Sequence, residues 1–108
     1  MEKTTEFRIS LSIEDELHIR FTKKQNEFIE VLIVYSTCIN TTWHQVLRID
    51  QSHGILHKDK LFEPKIENVK ELITEKITPQ LLAELISEIK TDWLELKRLF
   101  IKNKLGSD

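Results

Sequence analysis

The apolar residues of this chain change their spacing at Pro64, and that change limits the fold more than any other feature. Ahead of it they alternate: Phe7, Ile9, Leu11 and Ile13 are separated by Arg8, Ser10 and Ser12. After the acidic break Glu14-Asp15-Glu16 the pattern resumes with Leu17, Ile19 and Phe21. A period of two puts one apolar face on a half-buried strand. Beyond Pro64 the spacing becomes three and four, through Ile66, Val69, Leu72, Ile73 and Ile77, then through Leu82, Leu85, Ile86, Ile89, Trp93, Leu96 and Phe100. That period belongs to helices. A sheet followed by helices is the expected order.

Between these limits the turns can be placed. Residues 23–27 are polar and read as a turn. Residues 28–35 are almost continuously apolar and β-branched, the composition of a central strand covered on both faces. The small polar residues around Asn40 compete for backbone hydrogen bonds and predict a loop. A fourth strand is expected over 43–50, a turn at Gln51-Ser52-His53-Gly54 and a short edge strand over 55–61. Pro64 or Lys65 could open a short first helix. Thr78 and Pro79 then supply an N-cap and a first helical residue for a second helix of about 24 residues, roughly 35 Å long.

The predicted architecture is α+β: a four- or five-stranded antiparallel meander followed by two C-terminal helices packed on one face. All of residues 1–108 form a single domain, with the sheet in 1–62 and the helical part in 63–105. Core candidates are Ile9, Leu11, Ile19, Phe21, Val31, Ile33, Leu47, Ile49, Leu72, Leu85, Ile89 and Trp93, with Trp43 as a further apolar anchor.

Composition excludes several classes. At 108 residues, with 40% hydrophobic and 31% charged side chains, the chain resembles an ordinary globular domain rather than a disordered one. Sixteen basic residues face eighteen acidic ones, so no global positive field draws it to nucleic acid or to an anionic membrane. Any RNA contact must be local. Cys38 is the single cysteine, which excludes an intramolecular disulfide and points to a buried, inert thiol in a reducing compartment. No window approaches a membrane span and the first residues have no apolar leader, so a cytoplasmic protein is expected.

Three of the four histidines fall within residues 43–57. Strict alternation along strand four would set Trp43, Gln45, Leu47 and Ile49 on one face and His44, Val46, Arg48 and Asp50 on the other. The return strand would carry His57 back toward Arg48 and Asp50, with His53 in the turn. One reading takes Arg48, Asp50, His53 and His57 as a general acid/base site: one histidine as base, another as acid, Asp50 fixing a tautomer and Arg48 stabilising charge on a phosphoryl group. RNA suits that chemistry because its 2′-hydroxyl is an internal nucleophile. A second reading takes Asp50, His53 and His57 as metal ligands with an open position. A third leaves Arg48 and Asp50 as a structural ion pair and His53 as a turn residue. His18 reads as a surface residue. Lys97, Arg98, Lys102 and Lys104 either complement the helix dipole or meet a phosphate or partner.

The run Trp43-x-x-Val46-x-Arg48-x-Asp50-x-x-His53-Gly54-x-x-His57 resembles a short signature of small prokaryotic proteins and is similar to that of the TumE-like toxins of toxin–antitoxin pairs. The resemblance implies a small sheet-and-helix protein that acts on RNA or nucleotides, is encoded beside a DNA-binding antitoxin and uses Arg48, Asp50, His53 and His57. No cofactor is expected. The alternative is a non-catalytic interaction module that forms a homodimer through its long C-terminal helix, whose stripe exceeds what the sheet requires.

Overall fold

A computed structural model describes residues 1–52, 55–63, 70–73 and 76–105. Among these residues six strands form one antiparallel sheet in chain order. They are β1 (Glu2–Ser12), β2 (Asp15–Lys24), β3 (Glu27–Ile39), β4 (Thr42–Ser52), β5 (Ile55–Lys60) and β6 (Lys70–Ile73), followed by α1 (Pro79–Lys104). Each neighbour in the sheet is also the neighbour in sequence, so local hairpins build the whole meander.

Two of the two-residue hairpin turns are left-handed at both positions. Gln25 and Asn26 have φ of 52° and 64°, and Asn40 and Thr41 have φ of 51° and 65°. Left-handed backbone at both central residues gives a turn whose twist matches that of the flanking strands. Asparagine tolerates this region; β-branched Thr41 occupies it at a cost. The expected loop around Asn40 is therefore only a turn. β3 continues through Ser36–Ile39, and the small polar residues there are strand residues, with Thr37 fully buried.

One face of the sheet carries the core. Leu17, Ile19, Val31, Ile33, Tyr35, Val46, Leu47, Ile49 and Leu56 pack against Leu81, Leu82, Leu85, Ile89 and Phe100 of α1, with Ile77 beside them. Burying an aliphatic side chain of this size contributes roughly 1.5–3 kcal/mol, so this layer is the main source of stability. The helix begins where Thr78 Oγ1 accepts from the Leu81 amide at 3.0 Å. At its other end Lys102 and Lys104 complement the exposed carbonyls. Ile9, Leu11, Phe21 and Trp93 border the core half-buried, and Cys38 is likewise half-buried.

Two expectations are corrected. Among the described residues there is one helix, and residues 70–73, expected to be helical, pair with β5 as a sixth strand. The run is four residues long, too short for its spacing to separate a helix turn from an edge strand, and pairing with β5 decides it. Leu72, a core candidate on the helical reading, is 57% exposed on the face away from α1. The rest of that expected helix, residues 64–69 and 74–75, lies outside the described residues. The long second helix stands as expected, at 26 residues.

Three bulges interrupt the ladders. Leu11 is the extra residue between β1 and β2, and Ile29 between β2 and β3. Tyr35 pairs with Leu47 while Ser36 pairs with Gln45, leaving Val46 as the extra residue of β4. That third bulge sets the composition of both faces around it.

Candidate site on the open face of the sheet

Alternation is reset by one residue wherever a bulge is inserted. Val46, Leu47 and Ile49 all face α1, and His44 goes with them, its ring 5.6 Å from that of Phe100. Trp43 and Gln45 are turned to the opposite, open face, where Arg48 and Asp50 also project. Trp43 is accordingly 52% exposed and is no core anchor. His44 leaves the constellation, and Trp43 joins it.

The open face is ordered in rows across the strands. Register pairs Arg20 with Leu32, Leu32 with Asp50 and Asp50 with His57. The adjacent row runs Arg8, His18, Val34, Arg48 and Asp59. Asp50 and His57 are directly opposed in register, whereas His18 and His57 are three strands and one row apart, roughly 16 Å. His18 and His57 are too far from each other to serve one phosphate as acid and base. Two shallow grooves cross the face. One, of about 500 Å³, is bordered by Arg8, Glu16, His18, Val34, Trp43 and Arg48. The other, of about 210 Å³, is bordered by Arg20, Glu30, Leu32, Arg48 and Asp50. Arg48 borders both.

The polar contacts are specific. Arg48 Nε donates to Asp50 Oδ2 at 3.1 Å, so this ion pair exists and links two residues of the expected site. His18 Nε2 and Glu6 Oε2 are 2.7 Å apart, and Arg8 Nε lies 3.0 Å from Glu16 Oε1. His57 is half-buried, and its Nδ1 is sequestered with no hydrogen-bond partner among the described residues. Arg48, Asp50 and His57 thus share one face; His53 lies outside the described residues. Among the described residues no three His, Cys, Asp or Glu side chains converge as a cation site would need.

A second polar cluster lies on the covered face. Asp15 is 1% exposed, yet it accepts from Ser12 Oγ at 2.5 Å, Tyr35 Oη at 2.7 Å and Lys97 Nζ at 3.2 Å. Burial pushes its carboxyl up, but the hydrogen bonds from Ser12, Tyr35 and Lys97 outweigh it and hold the group below its ordinary range. Burial, then the hydrogen bond to Asp15, pushes the Tyr35 hydroxyl well above its ordinary value. The Tyr35 and Trp93 rings meet edge to face with centroids 6.3 Å apart. With its oxygens so engaged, Asp15 ties the β1–β2 turn, β3 and α1 together. The signal for it lies in the pattern: Asp15 continues the inward series Leu17, Ile19, Phe21, and Lys97 falls within the helix stripe, four residues after Trp93.

No helix among the described residues is long and apolar enough to cross a membrane. No curated protein and no solved structure matches the chain. One family, described as a domain of unknown function (DUF7718), matches it over residues 1–105.

Proposed function

The chain belongs to the DUF7718 family, and for this member we propose an RNA- or nucleotide-acting role exercised on the open face of the sheet. The observation that carries the reading is the Val46 bulge, which turns an exposed tryptophan onto the face that holds Arg48. An exposed indole offers a base a stacking surface, and a guanidinium beside it suits the phosphate that follows. Arg48 commits Nε to Asp50 and keeps its terminal nitrogens for an anion; Arg20, one row away, adds a second guanidinium.

His57 is the proton-transfer group of this reading. In cleavage of RNA the base removes the proton of a 2′-hydroxyl, that oxygen attacks the adjacent phosphorus, and an acid protonates the departing 5′-oxygen. The products are a 2′,3′-cyclic phosphate and a free 5′-hydroxyl. His57 and His53 are the proposed pair; Asp50 stands opposite His57 in the β4–β5 register without a hydrogen bond to it, and Arg48 stabilises the charge on the phosphoryl oxygens. The resemblance to TumE-like toxins extends the reading to a toxin held in check by an antitoxin encoded beside it.

Two measurements test this. Incubation with a single-stranded oligoribonucleotide should yield fragments ending in a cyclic phosphate, about 100-fold or more slowly for His57→Ala and for Arg48→Ala. Expression of the wild type should arrest growth, and expression of His57→Ala should not. Absence of cleavage together with equal growth at equal soluble levels would refute the proposal.

A further inference from the structure

We infer that β1 is a self-pairing edge: two copies of this chain join antiparallel through their first strands into one continuous sheet. Among the described residues the sheet order leaves the outer side of β1 without a neighbouring strand. The strand is eleven residues long and contains no proline. Natural sheets blunt an edge of that length with short strands, proline, charged side chains, bulges or a covering element, because its unpaired amides and carbonyls are a template for another chain. β1 is long and free of proline; its devices are the charges Glu2, Lys3, Glu6 and Arg8 and a bulge at Leu11 near its end, so only a strand whose charges complement them fits the edge.

The sequence of the strand selects the occupant. Centring the pairing on Phe7 sets Glu6 opposite Arg8 of the second copy and Arg8 opposite its Glu6. Centring it one residue earlier opposes two copies of Glu6, and one residue later two copies of Arg8. Opposite charges directly across an antiparallel pair stabilise it and like charges oppose it. The junction also extends an existing ladder. Arg8 is bound through Nε to Glu16, and Glu6 through Oε2 to His18. The guanidinium's other edge and the second carboxylate oxygen are thereby left for the second copy. The chain of ion pairs, diagonal within each copy, would then run Glu16, Arg8, Glu6 of the second copy and its His18, alternating acidic and basic along its contacts.

An exposed apolar residue fits the same register. Phe7 is 40% exposed. With Phe7 at the centre, the two Phe7 rings meet. Other registers leave Phe7 against Thr5, Ile9 or Lys3. This dimer leaves the Trp43 to His57 side of the open face free, so it does not depend on the function proposed above.

Sedimentation velocity over a concentration series reads the outcome with four samples: wild type, Glu6→Arg, Arg8→Glu and an equimolar mixture of the two variants. The wild type should dimerise. Each single variant opposes like charges at both junction pairs and should weaken dimerisation roughly tenfold or more. The mixture restores opposite charges at both pairs and should recover the dimer as a heterodimer. Circular dichroism melts identify any variant that fails to fold. In that event, amide exchange of the wild type decides: β1 should become protected as concentration rises. A wild type that stays monomeric across the series overturns the inference. So do single variants that dimerise unchanged, a mixture that recovers nothing, or β1 amides whose exchange ignores concentration.

Discussion

Asp15 shows how a single buried carboxylate constrains a small sheet. Its three donors come from the end of β1, from β3 and from α1, so the covered face is fastened by charge as well as by apolar contact. Replacing it with asparagine should cost about 2–4 kcal/mol, because Tyr35 and Lys97 would each lose a charged partner. The pH dependence follows from the two shifts. Asp15 is held below its ordinary 3.8, so its contribution is complete above that value and disappears as pH falls through the lowered one. Tyr35 is raised above its ordinary 10.0, so its contribution is complete below that value and is lost at higher pH, where the unfolded chain ionises first. Urea midpoints measured against pH should therefore show Asp15→Asn losing part of the acid-side slope and Tyr35→Phe part of the alkaline one. Profiles parallel to the wild type would contradict this. The acidic run 14–16 reads in sequence as a turn, and one part of it is inward only because β2 begins at Asp15.

At the scale of the element, β4 decides what the open face displays. β1 and β2 are legible as strands from alternation over five positions or more, β3 from its nearly continuous β-branched and apolar run, and β4 from the alternation of Leu47 to Asp50. Alternation assigns the faces of Leu47, Arg48, Ile49 and Asp50 as the structure has them, and it inverts those of Trp43, His44, Gln45 and Val46, at and before the bulge. A bulge leaves no trace in a period of two until its partner strand is known, so this error was built into the alternation argument. β6 was missed for a related reason: four residues carry too little pattern, and their strand character comes from β5. Deleting Val46 is the corresponding test. It should restore strict alternation, draw Trp43 toward the helix, and reduce both stability and the accessibility of the indole to an added quencher such as iodide. Unchanged quenching in a folded deletion variant would contradict the bulge. The long helix is legible from Thr78, Pro79 and its stripe, and that stripe is used within the chain; Leu94, off the stripe, is the large apolar residue of the helix that stays exposed.

For the molecule as a whole, the sheet divides the chemistry: one face is closed by α1 and the other is open, with Arg20, Trp43, Arg48, Asp50 and His57 on it. The excess of acidic over basic residues argues that any nucleic acid is held by this local set rather than by a general field. Two arginine–phosphate contacts to a single strand predict a shallow salt dependence, with a slope of roughly −1.4 in log K against log salt. A much steeper slope would place the contact surface elsewhere. The most direct test of the open-face reading uses Trp43 as its own reporter. In a Trp93→Phe variant Trp43 is the sole indole, and titration with a single-stranded oligoribonucleotide should quench its fluorescence saturably, with affinity reduced about tenfold or more by Arg48→Ala. Fluorescence that does not respond to the oligonucleotide, or a response that Arg48→Ala leaves unchanged, would contradict the reading.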